Sequence, residues 1–85
     1  MIISFTKKAD ADLEYLRKSG NKQIINKIKD LLESISNDPY KGIGQPEPLK
    51  HELSGIWSRR INREHRLLYE VIDETVYVLS LKGHY

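Results

Sequence analysis

Six aliphatic residues, Ile24, Ile25, Ile28, Leu31, Leu32 and Ile35, recur at i, i+1, i+4, i+7, i+8 and i+11, the spacing of one face of an α-helix. The opposite face carries Lys22, Lys29, Asp30 and Glu33, so the helix beginning near Asn21 needs an apolar surface to lie on. Upstream, Thr6 can cap a helix with Ala9, Leu13 and Leu16 on one face, and Ser19-Gly20 stops it. A short strand over 2–5 precedes this helical hairpin. Ser36-Asn37-Asp38-Pro39 closes the second helix, because proline cannot continue it and biases Asp38 away from helical torsions.

The surface under the hairpin should be a sheet. After a loop that runs to Pro48 and contains Gly42, Gly44 and Pro46, strand-like runs appear at 50–53, 56–61, 66–72 and 75–82. Ser54-Gly55 and Asp73-Glu74 are tight-turn signals between them. The expected fold is α+β: an N-terminal strand, a two-helix hairpin, then antiparallel strands in a twisted sheet. With the helices on one face, the other is open to a ligand. Strand alternation puts Leu67, Tyr69 and Val71 on one side of their strand and Arg66, Leu68 and Glu70 on the other. It also separates Arg59 from Arg60, so one of these neighbours serves the structure or a partner.

With 85 residues and 39% hydrophobic content, residues 1–85 fit one domain, and domains near this size bury only roughly 60–65% of their unfolded surface. There is no cysteine, so neither disulfides nor thiolate–zinc sites can reinforce the core, and a cytoplasmic location fits best. The first residues are apolar without a preceding basic segment, and no run approaches the length of a membrane span, so no membrane role is expected. A formal net charge of +2 with a pI near 8.9 is too mild to diagnose a nucleic-acid binder. Its distribution says more. Of five arginines, Arg59, Arg60, Arg63 and Arg66 fall within eight residues, and guanidinium groups bind phosphate oxygens bidentately.

His51, His65 and His84 are scattered and form no metal-ligand pattern, so no metal is expected. Gly42-Ile43-Gly44 lacks the third glycine and preceding strand of a dinucleotide fingerprint and reads as a flexible turn. Glu47, held between Pro46 and Pro48, is a carboxylate on a stiffened backbone, which would suit a positioned base, but taken alone it reads as a solvated loop charge. Arg63, in a turn, reads as solvated. By itself Gly83-His84-Tyr85 reads as an inert tail anchored by an apolar strand. Trp57, mid-strand with isoleucine nearby, reads as a core or dimer residue rather than a base-stacking platform.

Taken together, Gly-Ile-Gly-Gln-Pro-Glu-Pro-Leu-Lys at 42–50, Leu-Ser-Gly-Ile-Trp-Ser-Arg-Arg-Ile at 53–61, Glu-His-Arg-Leu at 64–67 and His84-Tyr85 closely resemble the YoeB/Txe toxins of the RelE superfamily, across the whole chain. The resemblance implies a RelE-like, microbial-ribonuclease-like fold and a type II toxin that cleaves mRNA in the ribosomal A site, inhibiting translation without a cofactor. It also implies a homodimer and a cognate YefM/Axe-like antitoxin. Carried over by residue, it makes Glu47 the general base, Arg66 the phosphate-stabilising arginine, His84 the general acid, and sets Tyr85 beside the scissile nucleotide. Lys50 and Arg60 become supporting RNA phosphate contacts. The competing reading is a noncatalytic ParE-like toxin that binds a protein target such as a topoisomerase, and a third is a plain RNA-binding module. ParE relatives generally lack the Glu, Arg, His-Tyr set.

Overall fold

A computed structural model describes residues 1–83, so His84 and Tyr85 lie outside the described residues. The first strand, β1, is Ile2–Phe5, followed by α1 at Lys7–Lys18 and α2 at Lys22–Asn37. Then come β2 at Glu47–Pro48, a 3-10 turn at His51–Leu53, β3 at Ile56–Arg60, β4 at Arg66–Ile72 and β5 at Thr75–Ser80. The α+β layout is the one expected from the periodicities. The five strands run β1-β5-β4-β3-β2 across one mixed sheet. β1 pairs parallel with β5, while the other neighbours are antiparallel.

Capping explains the helix starts. Thr6 Oγ1 accepts from Ala9 N at 3.1 Å, and Asn21 Oδ1 accepts from Ile24 N at 3.2 Å, each satisfying a donor that the first turn leaves unpaired. The apolar stripe of α2 then buries Ile28, Leu31 and Ile35 against Leu67, Tyr69, Val76 and Val78 of the sheet, with Ala9 and Leu16 of α1 in the same core. No helix among the described residues is long and apolar enough to cross a membrane.

Several segments differ from the sequence-based expectation. Residues 50–53 are not a strand, and Glu47–Pro48, expected in a loop, are. Pro48 pairs with Trp57 and Leu49 N donates to Ile56 O at 2.8 Å, so the chain must reverse between 49 and 56, and the 50–53 segment is consumed by that reversal. Pro48 is tolerated because β2 is the sheet edge, where a missing N–H removes no inner ladder bond. The last strand ends at Ser80 rather than 82 because the register slips: Tyr69 faces Val78 but Leu68 faces Ser80. Leu79 is therefore the extra residue of a bulge. Its carbonyl accepts from Thr6 Oγ1 at 3.1 Å, and the shift in alternation returns Leu81 to the core.

Asp12 holds this end of the sheet to α1, since its Oδ2 accepts from the buried Leu81 N–H at 3.0 Å. Lys8 lies 2.8 Å from the same oxygen but its side chain is 64% exposed, so its ion pair contributes little beside the backbone bond. Burial works against the charged carboxyl, yet the Lys8 ammonium and the Leu81 and Lys82 N–H groups outweigh it and hold Asp12 below the ordinary aspartate range. A depressed folded pKa means stabilisation that is complete above about pH 4 and is lost as the pH falls through the folded value. Asp12→Asn should therefore lower the melting temperature at pH 7 and flatten its acid limb. Parallel melting curves for the two proteins between pH 7 and pH 2 would remove Asp12 from this role.

Candidate functional site

Alternation and register assemble the site on the sheet face opposite the helices. On β3, Ser58 and Arg60 are two apart and share a face, while Arg59 between them points into the core. Glu47 pairs with Ser58 across β2 and β3, and Arg60 pairs with Arg66 across β3 and β4. Glu47, Ser58, Arg60 and Arg66, with Gln45, line a cavity of about 90 Å³. Two guanidinium groups directly opposite on neighbouring strands repel each other. The Glu47 carboxylate shares their cavity. Arg66 is braced from below, its Nη1 donating to Asn62 O at 3.1 Å.

Arg59 settles which of the adjacent arginines serves the fold. It is fully buried, and each of its five N–H groups reaches an oxygen. Nε donates to Tyr69 Oη at 3.0 Å, Nη1 to Ser34 Oγ at 2.7 Å and Ile43 O at 3.1 Å, and Nη2 to Asp38 O at 2.8 Å and Lys41 O at 3.0 Å. Tyr69 completes the knot by donating to Pro39 O at 2.6 Å. Burial raises the pKa of that phenol, with Arg59 opposing, so it stays a donor at neutral pH. The loop from 38 to 43 is thus wrapped around one guanidinium, and this sets where Gln45 and Glu47 emerge.

The Gly-x-Gly pair is a packed turn rather than a flexible one. A Cβ on Gly42, at φ +129°, would sit 2.2 Å from Ser34 Oγ, and one on Gly44, at φ +82°, 2.5 Å from Leu31 Cδ2. Both glycines let the loop close over Arg59.

Of the residues singled out in sequence, Glu47, Arg60 and Arg66 come together in one cavity. Lys50 does not line it. It belongs to the neighbouring concavity, which shares Glu47 and includes His51 and Leu53. Arg63 is exposed. Trp57 is half-buried, tilted against Tyr40 with ring centroids 5.1 Å apart, and lies outside the cavity. Among the described residues no group of three His, Cys, Asp or Glu side chains could hold a metal ion.

Sequence reasoning missed Gln45, Ser58 and His65. Ser58 was legible from its i, i+2 relation to Arg60; the other two were not. His65 acts through the turn between β3 and β4, where Asn62 Oδ1 accepts from Glu64 N at 2.9 Å and His65 N at 2.8 Å. The imidazole Nδ1 then accepts from Gly83 N at 2.9 Å, while Arg66 N donates to Gly83 O at 3.1 Å. Both polar groups of the Gly83 backbone are thereby tied beside Arg66. His65→Ala should speed hydrogen exchange at the Gly83 amide, whereas His65→Asn, whose Oδ1 can replace Nδ1 as acceptor, should preserve its protection. Unchanged Gly83 exchange in His65→Ala would show that the imidazole does not hold this strand end.

A family model described as the YoeB-like toxin of bacterial type II toxin-antitoxin systems matches residues 5–85. The toxin YoeB of Synechocystis sp. is 44% identical over 85 residues, covering 100% of this chain and 98% of that toxin. The solved YoeB dimer of Staphylococcus aureus superposes with a TM-score of 0.90 at 43% identity, covering 100% of this chain and 98% of that one. The Staphylococcus aureus YoeB-YefM complex gives 0.88 at 44% identity over the same shares.

Proposed function

The chain belongs to the YoeB-like toxins of bacterial type II toxin-antitoxin systems, and from that premise we propose that it is a ribosome-dependent endoribonuclease that cleaves mRNA in the A site and so stops translation. The observation that carries this reading is the meeting of Glu47, Arg60 and Arg66 in one cavity on the sheet face opposite the helices. A carboxylate beside two guanidinium groups can remove a proton and stabilise the anion that results.

In this reading Glu47 takes the proton of a ribose 2′-OH, and the freed oxygen forms a bond to the adjacent phosphorus. Arg66, with Arg60 opposite it, meets the charge that develops on the non-bridging oxygens. The bond from phosphorus to the 5′-oxygen breaks, and His84 supplies the proton that this leaving oxygen takes up. The product strand ends in a 2′,3′-cyclic phosphate, or in a 3′-phosphate after hydrolysis. Tyr85 is assigned beside the scissile nucleotide. Lys50, in the adjoining concavity, is assigned to a flanking phosphate rather than to the reacting one. All of these roles fall to side chains of the protein itself, and the ribosome fixes the site of action in the cytoplasm.

We assign a homodimer and a YefM-like antitoxin as partners, since the Staphylococcus aureus relative has been solved as a dimer and with YefM. Mapping messenger 5′ ends after induced expression tests the reading. New ends at a fixed position within codons, absent after induction of Glu47→Gln, are the expected result. Growth arrest with no new messenger ends would instead favour a noncatalytic toxin acting on a protein such as a topoisomerase.

A further inference from the structure

Beside the reaction cavity lies a second concavity of about 370 Å³ that shares Gln45 and Arg60 with it and adds Lys27, Asn62 and Arg63. The two concavities adjoin at these shared residues. Among the described residues three cations line this second concavity and no carboxylate does. The ion pairs among the described residues involve Lys8, Arg17 and Lys18, not Lys27, Arg60 or Arg63. The floor is Gly44, tied to the strand by the bond from Arg60 N to its carbonyl at 2.7 Å. A side chain there would strike the buried Leu31, so the position stays glycine. Asn62 is held in place by the two backbone donors that its Oδ1 accepts.

Isolated surface lysines and arginines are ordinarily solvated and self-sufficient. Here they come from α2 and from the turn after β3 and converge on one channel, where without an anion they only repel one another. Solvation alone gives no reason for that convergence, or for its sharing Gln45 and Arg60 with the cavity that holds Arg66. We propose that Lys27 and Arg63 form a second phosphodiester subsite, which grips the same single-stranded RNA one or more nucleotides away from the scissile phosphate. This rests on the reading of the first cavity as an RNA-cleaving site. It would make Lys27 and Arg63 contribute to substrate affinity and not to the chemical step.

The test uses the full chain and 2′-O-methyl RNA, which cannot undergo 2′-OH attack, in lengths of two and five nucleotides, followed by fluorescence anisotropy. Wild type should bind the pentamer about 10-fold more tightly than the dinucleotide at low salt, the size of effect expected for charge-assisted phosphate contacts. The Lys27→Ala/Arg63→Ala double variant should bind the dinucleotide as wild type does and lose the increment. Its pentamer affinity should also depend less on salt, the logarithmic slope falling by about 0.7 for the one phosphate no longer neutralised. On programmed ribosomes the same variant should raise KM and leave kcat unchanged, with an unaltered thermal melt. No length increment in wild type, or an increment that survives in the double variant, overturns the subsite. Weakened binding to vacant ribosomes with the pentamer increment intact also overturns it, assigning the groove to ribosomal RNA. Failure of the underlying reading would look different: dinucleotide binding would then be absent, or indifferent to Arg66→Ala.

Discussion

Glu47→Gln should slow messenger cleavage on translating ribosomes by about 10²–10⁴-fold, the usual size of a general base's contribution, while the folded protein keeps its affinity for the ribosome. Glutamine preserves the shape and the hydrogen-bonding carbonyl but cannot accept the 2′-OH proton. Arg66→Ala should cost a comparable factor, because arginine places two parallel donors on a phosphate and a point charge does not; Arg66→Lys should recover little of it. The stability consequences point the other way. Arg66 faces Arg60 across β3 and β4, so removing it relieves a like-charge pair, against the loss of partly buried bonds from Nη1 to Asn62 O and, longer, to His65 O. Arg66→Ala should thus stay within about 1 kcal/mol of wild type in denaturant unfolding. Inactivity together with intact stability is the combination to look for. Full single-turnover cleavage by Glu47→Gln would sink the assignment of the base.

The second large effect is structural and concerns the neighbouring arginine. Arg59→Ala should destabilise the fold by about 4 kcal/mol or more, since it strips partners from Ser34, Tyr69 and three loop carbonyls at once, and each buried polar group left unpaired costs about 1–3 kcal/mol. For a domain of this size that corresponds to a fall of about 15–30 °C in melting temperature. Stability in this size class is only about 4–13 kcal/mol, so a substantial fraction of the variant could be unfolded at physiological temperature. Arg59→Lys should recover little, because three donors on a flexible stem cannot replace a planar fork that meets five oxygens. Arg60→Ala, one residue along the same strand, should be near neutral in stability, because Arg60 is exposed. Denaturant midpoints of the three variants decide the matter, and an Arg59→Ala protein within 1 kcal/mol of wild type would mean that the loop finds other partners.

The sequence alone determined whatever depends on a local period. The stripe of Ile28, Leu31 and Ile35, the cap at Thr6, the start of the second helix near Asn21, the bounds of β1 and β4, and the opposite faces of Arg66 and Leu67 all follow from residues within a few positions of one another. The tertiary structure decided what depends on partners far along the chain. It chose Arg59 for the core and left Arg60 to the site, because the acceptors of Arg59 lie 10 to 25 residues away and no pattern around two adjacent arginines encodes them. It made Glu47–Pro48 a strand and 50–53 a reversal because β3 was there to pair with. It set β1 beside β5, inserted the bulge at Leu79, and tied Gly83 to His65 at a separation of 18 residues. Local propensity selects helices, strands and faces. Only closure of the whole sheet brings Glu47, Arg60 and Arg66 from three strands into one cavity.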